Sequence, residues 1–271
     1  MAELTEAYES NFKTKLAKLL RTNRFGKSIY VFNELDSTQD YANALPITES
    51  VHGTIVIARK QNVGKGRIGR SWISPEGGLW MSIVIRPDFS VDNIIFTQFI
   101  AALAVADAIQ QATNIRSRLK WPNDVLINEK KVCGILVDVT LEGKDKKIVM
   151  GLGLNANIES SLINNYLTAD TTKATTLKKE YGNDIDLVYL TKSIVDRIEY
   201  YSNFLSSGKA LEIIELWKQN SDMFGRRAIV YDGIEKIMGE VVDIDQDGSL
   251  LMKLGDDSIK KITYYGNVTF R

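Results

Sequence analysis

The chain has 271 residues, enough for one sizeable core or for a large domain with a small one attached, and its apolar and charged fractions are those of an ordinary folded protein. Its formal net charge is zero, which argues against a general nucleic-acid binder and so against DNA as a partner, and no apolar run reaches membrane-spanning length. The start MAELTEAYESNFK is polar and acidic rather than an export signal, so the expected location is cytoplasmic. Cys133 stands alone, which excludes an intrachain disulfide and a cysteine-cluster zinc site. His52 also stands alone; it precedes Gly53 at a turn and reads as a loop residue, so chemistry falls to lysines, arginines and backbone amides.

Residues 3–24 carry Leu4, Tyr8, Phe12, Leu16, Leu19 and Leu20 at helical spacing and predict an amphipathic helix packed on the body of the protein. Ile29 to Phe32 predicts a short strand. Asp36-Ser37-Thr38 follows, with Asp36 or Ser37 as the N-cap of a helix over Gln39 to Leu45. A helix N-terminus with two hydroxyls also makes a small polar pocket for a neutral or anionic group. A strand over Thr54 to Gln61 then leads into Gly64-Lys65-Gly66-Arg67-Ile68-Gly69-Arg70. Glycine lets the backbone approach a ligand closely, and Lys65, Arg67 and Arg70 surround that backbone with positive charge. The segment reads as a loop that wraps a phosphate or carboxylate, against the plainer reading of a solvated basic turn.

Gly64, Gly66 and Gly69 also fit the spacing of a dinucleotide fingerprint, with Asp88 about twenty residues further on. That fingerprint needs a helix to open at its third glycine. Pro75 and Gly77-Gly78 forbid one, and the next strand, over Leu79 to Arg86, begins too soon for a helical crossover. Residues 54–86 are therefore two strands joined by a long, basic, glycine-rich loop. Trp72, just past the cations, either stacks on a base or buries itself.

Asp92 to Thr113 is the most apolar helix and reads as the centre of the core. Lys120-Trp121-Pro122-Asn123-Asp124 places a cation, an amide and a carboxylate around a proline turn. Asn128 to Lys131 reads as a tight turn, Val132 to Thr140 as a strand, Glu142 to Lys147 as a second turn and Ile148 to Asn155 as a further strand, which makes an antiparallel meander. Alternation along the last strand puts Gly151, Gly153 and Asn155 on one face and Ile148, Met150, Leu152 and Leu154 on the other. The apolar face belongs in the core. The bare face, extended by Gly134 on the neighbouring strand, leaves room for a flat ligand, with a bulge or close strand packing as the competing explanation.

Residues 156–185 predict loops with at most one turn of helix, and Leu187 to Ser206 and Ala210 to Gln219 predict helices. Beyond Gly225, short strands at Ala228–Tyr231, Ile237–Asp243, Ser249–Lys253 and Ile259–Tyr264 predict a small antiparallel barrel, too small to be an enzyme alone.

These residues closely resemble the biotin–protein ligases. Asp36-Ser37-Thr38, Gln61, the Gly64–Arg70 loop running into Trp72 and Ser74-Pro75, Lys120 to Asp124, Lys131 to Gly134 and Gly151 to Asn157 stand in that family's order, across residues 29–271. The resemblance implies an α+β fold: a mixed sheet with flanking helices, like that of class II aminoacyl-tRNA synthetases, plus a small C-terminal SH3-like β-barrel. It implies a division into an N-terminal helix (1–27), a catalytic biotin- and ATP-binding domain (28–224) and the SH3-like domain (225–271). It also implies the monofunctional type, without the DNA-binding winged helix of the repressor members. Gln39 stands where the family often has Asn, Lys65 where Arg is common and Asp138 where Glu is common, which bears on fine positioning rather than on the reaction.

The implied chemistry has two steps. Biotin and ATP give biotinyl-5′-AMP, and a lysine of a biotin carboxyl carrier domain then takes the biotinyl group. The resemblance makes Lys131, Arg67 and Arg70 the catalytic residues, as electrostatic stabilisers. It gives biotin to Ser37, Thr38, Gln61, Gly64, Lys65, Gly66, Arg67 and Lys131, with the ring against Gly134, Gly151 and Gly153. It gives ATP to Arg67, Arg70, Trp72, Lys120, Asn123, Asp124, Lys131, Asn155 and Arg271. Mg²⁺ is expected, without identified ligands, and a homodimer through the catalytic sheet is carried from the family. Lipoate ligation on the same architecture is the rival reading. A carrier- or RNA-binding module without chemistry is a second, and the presence of Lys131, Arg67 and Arg70 speaks against it.

Overall fold

The computed structural model describes every residue except 1, 49–50, 91–92, 165–172, 233–234, 264–266 and 271. Seven strands, β1 (Ile29–Leu35), β2 (Thr54–Gln61), β3 (Leu79–Ile85), β4 (Arg118–Lys120), β5 (Asp124–Ile127), β6 (Lys130–Glu142) and β7 (Asp145–Leu154), form one mixed sheet in the order β1-β2-β3-β7-β6-β5-β4. β1 and β2 run parallel, and each of the other neighbouring pairs is antiparallel. The expected meander is the β5-β6-β7 portion. Its first turn is tighter than the sequence suggests: Asn128 and Glu129 make it alone, both with positive φ, and Lys130 and Lys131 already belong to β6.

Alternation along the strands gives the sheet two unlike faces. Ile55, Ile57, Met81, Ile83, Ile148, Met150, Leu152 and Leu154 enter the main core. On that face lies α3 (Phe96–Thr113), with α6 (Leu187–Ser206) and α7 (Ala210–Gln219) packed against it. Val56, Val84 and Val149 point the other way and join Ala42 in a small second cluster. Ala42 belongs to α2 (Thr38–Ala44), a short helix laid across β2, β3 and β7.

Helix boundaries follow local chemistry. α1 (Ala2–Leu19) stops before the predicted residue 24. Thr22 donates its hydroxyl to the Phe25 carbonyl, and the N–H groups of Asn23 and Arg24 donate to the Glu199 carboxylate, so the chain turns away. α3 begins at Phe96 rather than at Asp92, which lies outside the described residues; Thr97 and Gln98 donate to the Ile94 and Ile95 carbonyls in a tighter lead-in turn. The segment 156–185 holds two short helices, α4 (Ser160–Asn164) and α5 (Leu177–Tyr181), where at most one turn was expected. α5 is capped at both ends, by the Thr176 hydroxyl and by Gly182 at φ 86°.

The terminal strands β8 (Arg227–Asp232), β9 (Glu235–Ile244), β10 (Leu250–Lys253) and β11 (Ile259–Ile262) are joined by an unforeseen fifth, β12 (Asn267–Phe270), which pairs with β8. They form an antiparallel sheet in the order β11-β10-β9-β8-β12. Trp121 ties this sheet to the rest by donating its indole N–H to the Gly248 carbonyl at 3.0 Å.

His52 lies outside the lining of the main cavity. Its ring packs edge-on against Phe25 and hydrogen-bonds the Arg86 backbone, and burial holds its pKa below the ordinary value.

Phe99 is fully buried in α3 and stacks on Trp217 at 5.3 Å between ring centres. Phe99→Ala should lower the unfolding free energy by about 3–5 kcal/mol in a denaturant titration; a loss below about 1 kcal/mol would show that the core does not hang on this helix.

Candidate active site

The N-terminus of α2 stands over the face of the sheet away from the main core. Ser37 is the N-cap: its side-chain oxygen accepts the Asp40 N–H. That leaves the Ser37 hydroxyl hydrogen to point elsewhere. Gln61, at the end of β2, accepts the Thr38 N–H at 2.8 Å and donates to the Ser74 hydroxyl at 2.8 Å, which fixes its amide orientation. Gln39 is fixed as firmly, by donating to Asp138 at 2.9 Å and to the Val149 carbonyl at 3.1 Å.

Between these two amide oxygens sit two hydroxyls. Thr38 Oγ1 is 3.1 Å from Gln61 Oε1 and 2.9 Å from Ser82 Oγ, and Ser82 Oγ is 3.0 Å from Gln39 Oε1. Two hydroxyl hydrogens therefore serve three oxygen–oxygen approaches, and one of the three is always short of a donor. All four side chains line one cavity.

Facing residues on neighbouring strands share a side of the sheet. One row across it is Ser82, Gly151 and Leu136; the next is Gly153, Gly134 and Asp124. The glycines leave room that other side chains fill. A Cβ at Gly151 would come within 2.4 Å of Gln39 Oε1, and Cβ atoms at Gly134 and Gly153 within 2.8 and 2.6 Å of the Trp72 indole. Trp72 thus lies directly on the bare patch, with its indole nitrogen buried and without a hydrogen-bond partner.

A bulge aims Lys131 into the same space. The β5–β6 register passes from Val125↔Cys133 to Leu126↔Lys131, so one residue, Val132, is extra. Without it Lys131, three positions from Gly134, would face the opposite side. With it, the Lys131 Cε lies 3.1 Å from where a Gly134 Cβ would be. The Lys131 ammonium pairs with Asp124 at 2.5 Å and sits 5.0 Å from the Trp72 ring centre. Its backbone is pinned on both sides, donating to the Lys173 carbonyl and accepting from the Thr175 N–H.

The basic loop closes the cavity. Isolated bridges join Gln61 to Ser74 and Lys65 to Ser71, and Trp72 N–H donates to the Gly64 carbonyl at 2.8 Å. Gly64 has to be glycine, because a Cβ would meet the Trp72 carbonyl oxygen at 2.3 Å. Arg67 donates to the Asn123 side chain at 3.1 Å, and Asn123 is itself tied to both backbone groups of Ile135. Lys65 pairs with Asp40 at 2.5 Å, at the surface.

The cavity encloses about 250 Å³ and brings together Ser37, Thr38, Gln61, Lys65, Gly66, Arg67, Arg70, Trp72, Asn123, Asp124, Lys131, Gly134, Gly151, Gly153 and Asn155. Gly64 and Lys120 stand outside its lining. Gly64 supports the loop. Lys120 is buried behind Asp124, 5.8 Å from the Phe270 ring centre, and burial lowers its pKa while Asp124 opposes the shift. Arg271 lies outside the described residues. Sequence reasoning overlooked Ser82 and Asn43, named Ser74 only as part of the loop motif, and treated Gln39 and Asp138 only as variants. Two signals were available: Ser82 is the lone hydroxyl in the buried strand LWMSIVI, and Gln39 and Asn43 are four apart on α2, the spacing that lets both donate to Asp138.

The sequence model of the biotin/lipoate A/B protein ligase family matches residues 31–155. The bifunctional ligase/repressor BirA of Bacillus subtilis is 34% identical over 248 residues, covering 90% of this chain and 74% of that protein. The biotin–[acetyl-CoA-carboxylase] ligase of Paracoccus denitrificans is 29% identical over 80% of this chain and 91% of its own length. Among solved structures, the biotin protein ligase of Aquifex aeolicus in complex with biotin and ATP superposes with a TM-score of 0.78 at 28% identity, over 90% of this chain and all of that one.

Proposed function

The chain belongs to the biotin/lipoate A/B protein ligase family, and from that premise we propose that it is an ATP-dependent biotin–protein ligase, forming biotinyl-5′-AMP and passing the biotinyl group to a lysine of a biotin carboxyl carrier domain. The observation that supports the choice of biotin is the convergence of acceptor oxygens at Thr38, Ser82, Gln61 and Gln39 on one cavity, where only two hydroxyl hydrogens and the Thr38 N–H serve them. A ureido ring brings two N–H donors to oxygens that can each accept a further hydrogen bond. Its carbonyl takes the remaining hydrogen of Ser37. The dithiolane ring of lipoate offers no N–H and so makes no such hydrogen bonds.

The acid's carboxylate attacks the α-phosphorus of ATP, a P–O bond forms, and the bond to pyrophosphate breaks. The carrier lysine's amine then attacks the acyl carbon, and AMP leaves with the anhydride oxygen. In the first step negative charge gathers on phosphate oxygens, and fixed cations already in place lower the barrier without reorganising. Lys131, aimed by its bulge between ring pocket and loop, is the group we assign to the carboxylate and α-phosphate; Arg67 and Arg70 take the phosphates. Asn123 holds Arg67 in position. Mg²⁺ is expected to arrive with ATP, where it would neutralise charge on the phosphates.

Trp72 covers Gly134 and Gly153, so in this reading a ring seated on those glycines displaces the indole, which then forms a wall for ring or base. In the same reading, residues 28–224 form the catalytic unit, 225–271 an attached module and 1–27 a packed helix.

Pyrophosphate release from purified protein, with biotin or lipoate and ATP, tests the assignment. Biotin should support turnover and lipoate should not; the reverse would transfer the protein to the lipoate branch. Arg67→Gly should still form the anhydride but let biotinyl-5′-AMP escape about ten- to a hundred-fold faster, the worth of a charged hydrogen bond. Unchanged escape would remove Arg67 from that role.

A further inference from the structure

Lys147 is an unusual residue to find buried. It sits in β7 with 3% of its surface exposed, and burial pushes its pKa below the ordinary value. Its ammonium faces two carbonyl oxygens: it donates to Asn43 at 2.7 Å and to Leu45 at 2.6 Å. Both belong to the C-terminal end of α2. A helix end leaves its last carbonyls unpaired and carries partial negative charge, so a cation there is favoured. α2 has seven residues and no basic residue in its own last turn. A helix that short does not hold its shape or place unaided.

The face of β7 lays out what holds it. Lys147, Val149, Gly151 and Gly153 share one side of the strand. Lys147 takes the C-terminal carbonyls of α2, Val149 packs with Ala42 in its middle, Gly151 receives Gln39 from its first turn, and Gly153 lies beneath Trp72 in the cavity. Asp138, on the facing strand β6, accepts from Gln39 and Asn43 on the helix flank. The helix is thus bracketed at its tail, waist and head by neighbouring positions of the sheet. Its head carries Ser37, Thr38 and Gln39, whose oxygens must be placed to within about 0.5 Å to hydrogen-bond a ring's polar edge.

We propose that Lys147 is a positioning residue for the acid's ring: by clamping the tail of α2 to β7, it sets where Ser37, Thr38 and Gln39 stand in the cavity. The inference rests on the ligase reading above, in which that ring is biotin's ureido ring. Lys147 does not line the cavity and acts on it only through α2, whose head carries the ring-binding oxygens, so its loss should fall chiefly on the acid.

Steady-state pyrophosphate release by the full chain, with hydroxylamine present to discharge the anhydride and with biotin and ATP varied separately, separates this from a general role in stability. Lys147→Met keeps the side chain's length and apolar stem while removing its donors. The KM for biotin should rise about ten-fold, with the KM for ATP and kcat within about two-fold of wild type. Should Lys147→Met fail to fold, Lys147→Gln, which keeps a donor for one carbonyl, is measured in its place, and an intermediate rise in the biotin KM is expected. A folded variant with an unchanged biotin KM, or with both KM values raised alike, overturns the proposal. Wild-type protein that releases no pyrophosphate with biotin overturns the ligase reading instead.

Discussion

Side-chain alternation along β7 is the constraint on which the site depends. Ile148, Met150, Leu152 and Leu154 are committed to the main core, so a one-residue slip would expose all of them together. That commitment fixes Val149, Gly151 and Gly153 on the other face, where α2 and Trp72 come to rest. The hydrophobic effect thus sets the register, and the register sets which glycines are bare. The polar groups of the site are positioned by a strand whose other side has no chemistry at all.

On that floor the cations are arranged by three different devices. Lys131 is turned inward by a bulge, Arg67 by an asparagine held between backbone groups, and Arg70 by a glycine-rich loop stitched with its own bridges. Lys131 is paired with Asp124 and lies against the Trp72 ring. A bare ammonium in so enclosed a place would be costly, and the carboxylate offsets that cost. An incoming carboxylate and phosphate replace one set of negative oxygens with another, so the charge is kept ready without being exposed. Ile68, at the loop's tip, adopts φ 56°, a conformation that β-branched residues avoid. Strain of this sort is stored where a segment is held by its surroundings.

Much of this was legible in the residues. The glycine–cation alternation of 64–70, the clash of Pro75 with a helical reading, and the two faces of β7 gave the loop, the rejection of a dinucleotide fold and the bare patch. What escaped was whatever depends on contacts between distant segments. The bulge at Val132 has no signature of its own in Lys131-Val132-Cys133, because it exists only in the pairing with β5. The network through Ser82 joins four segments, and each of its members is ordinary where it stands. The early end of α1 depends on Glu199, far along the chain. The bare glycine face was read correctly as a face but not as an occupied one, since nothing local places Trp72 upon it.

Ring pocket and cation cluster share one cavity, with Trp72 and the basic loop between them, so filling one should prepare the other. Calorimetric titration of a non-hydrolysable ATP analogue into the protein, with and without saturating biotin, measures that coupling. Biotin should bind alone and raise the nucleotide's affinity by about ten-fold or more, within the range of ordinary coupling energies. Equal nucleotide affinity in the two titrations would mean that the two halves act independently.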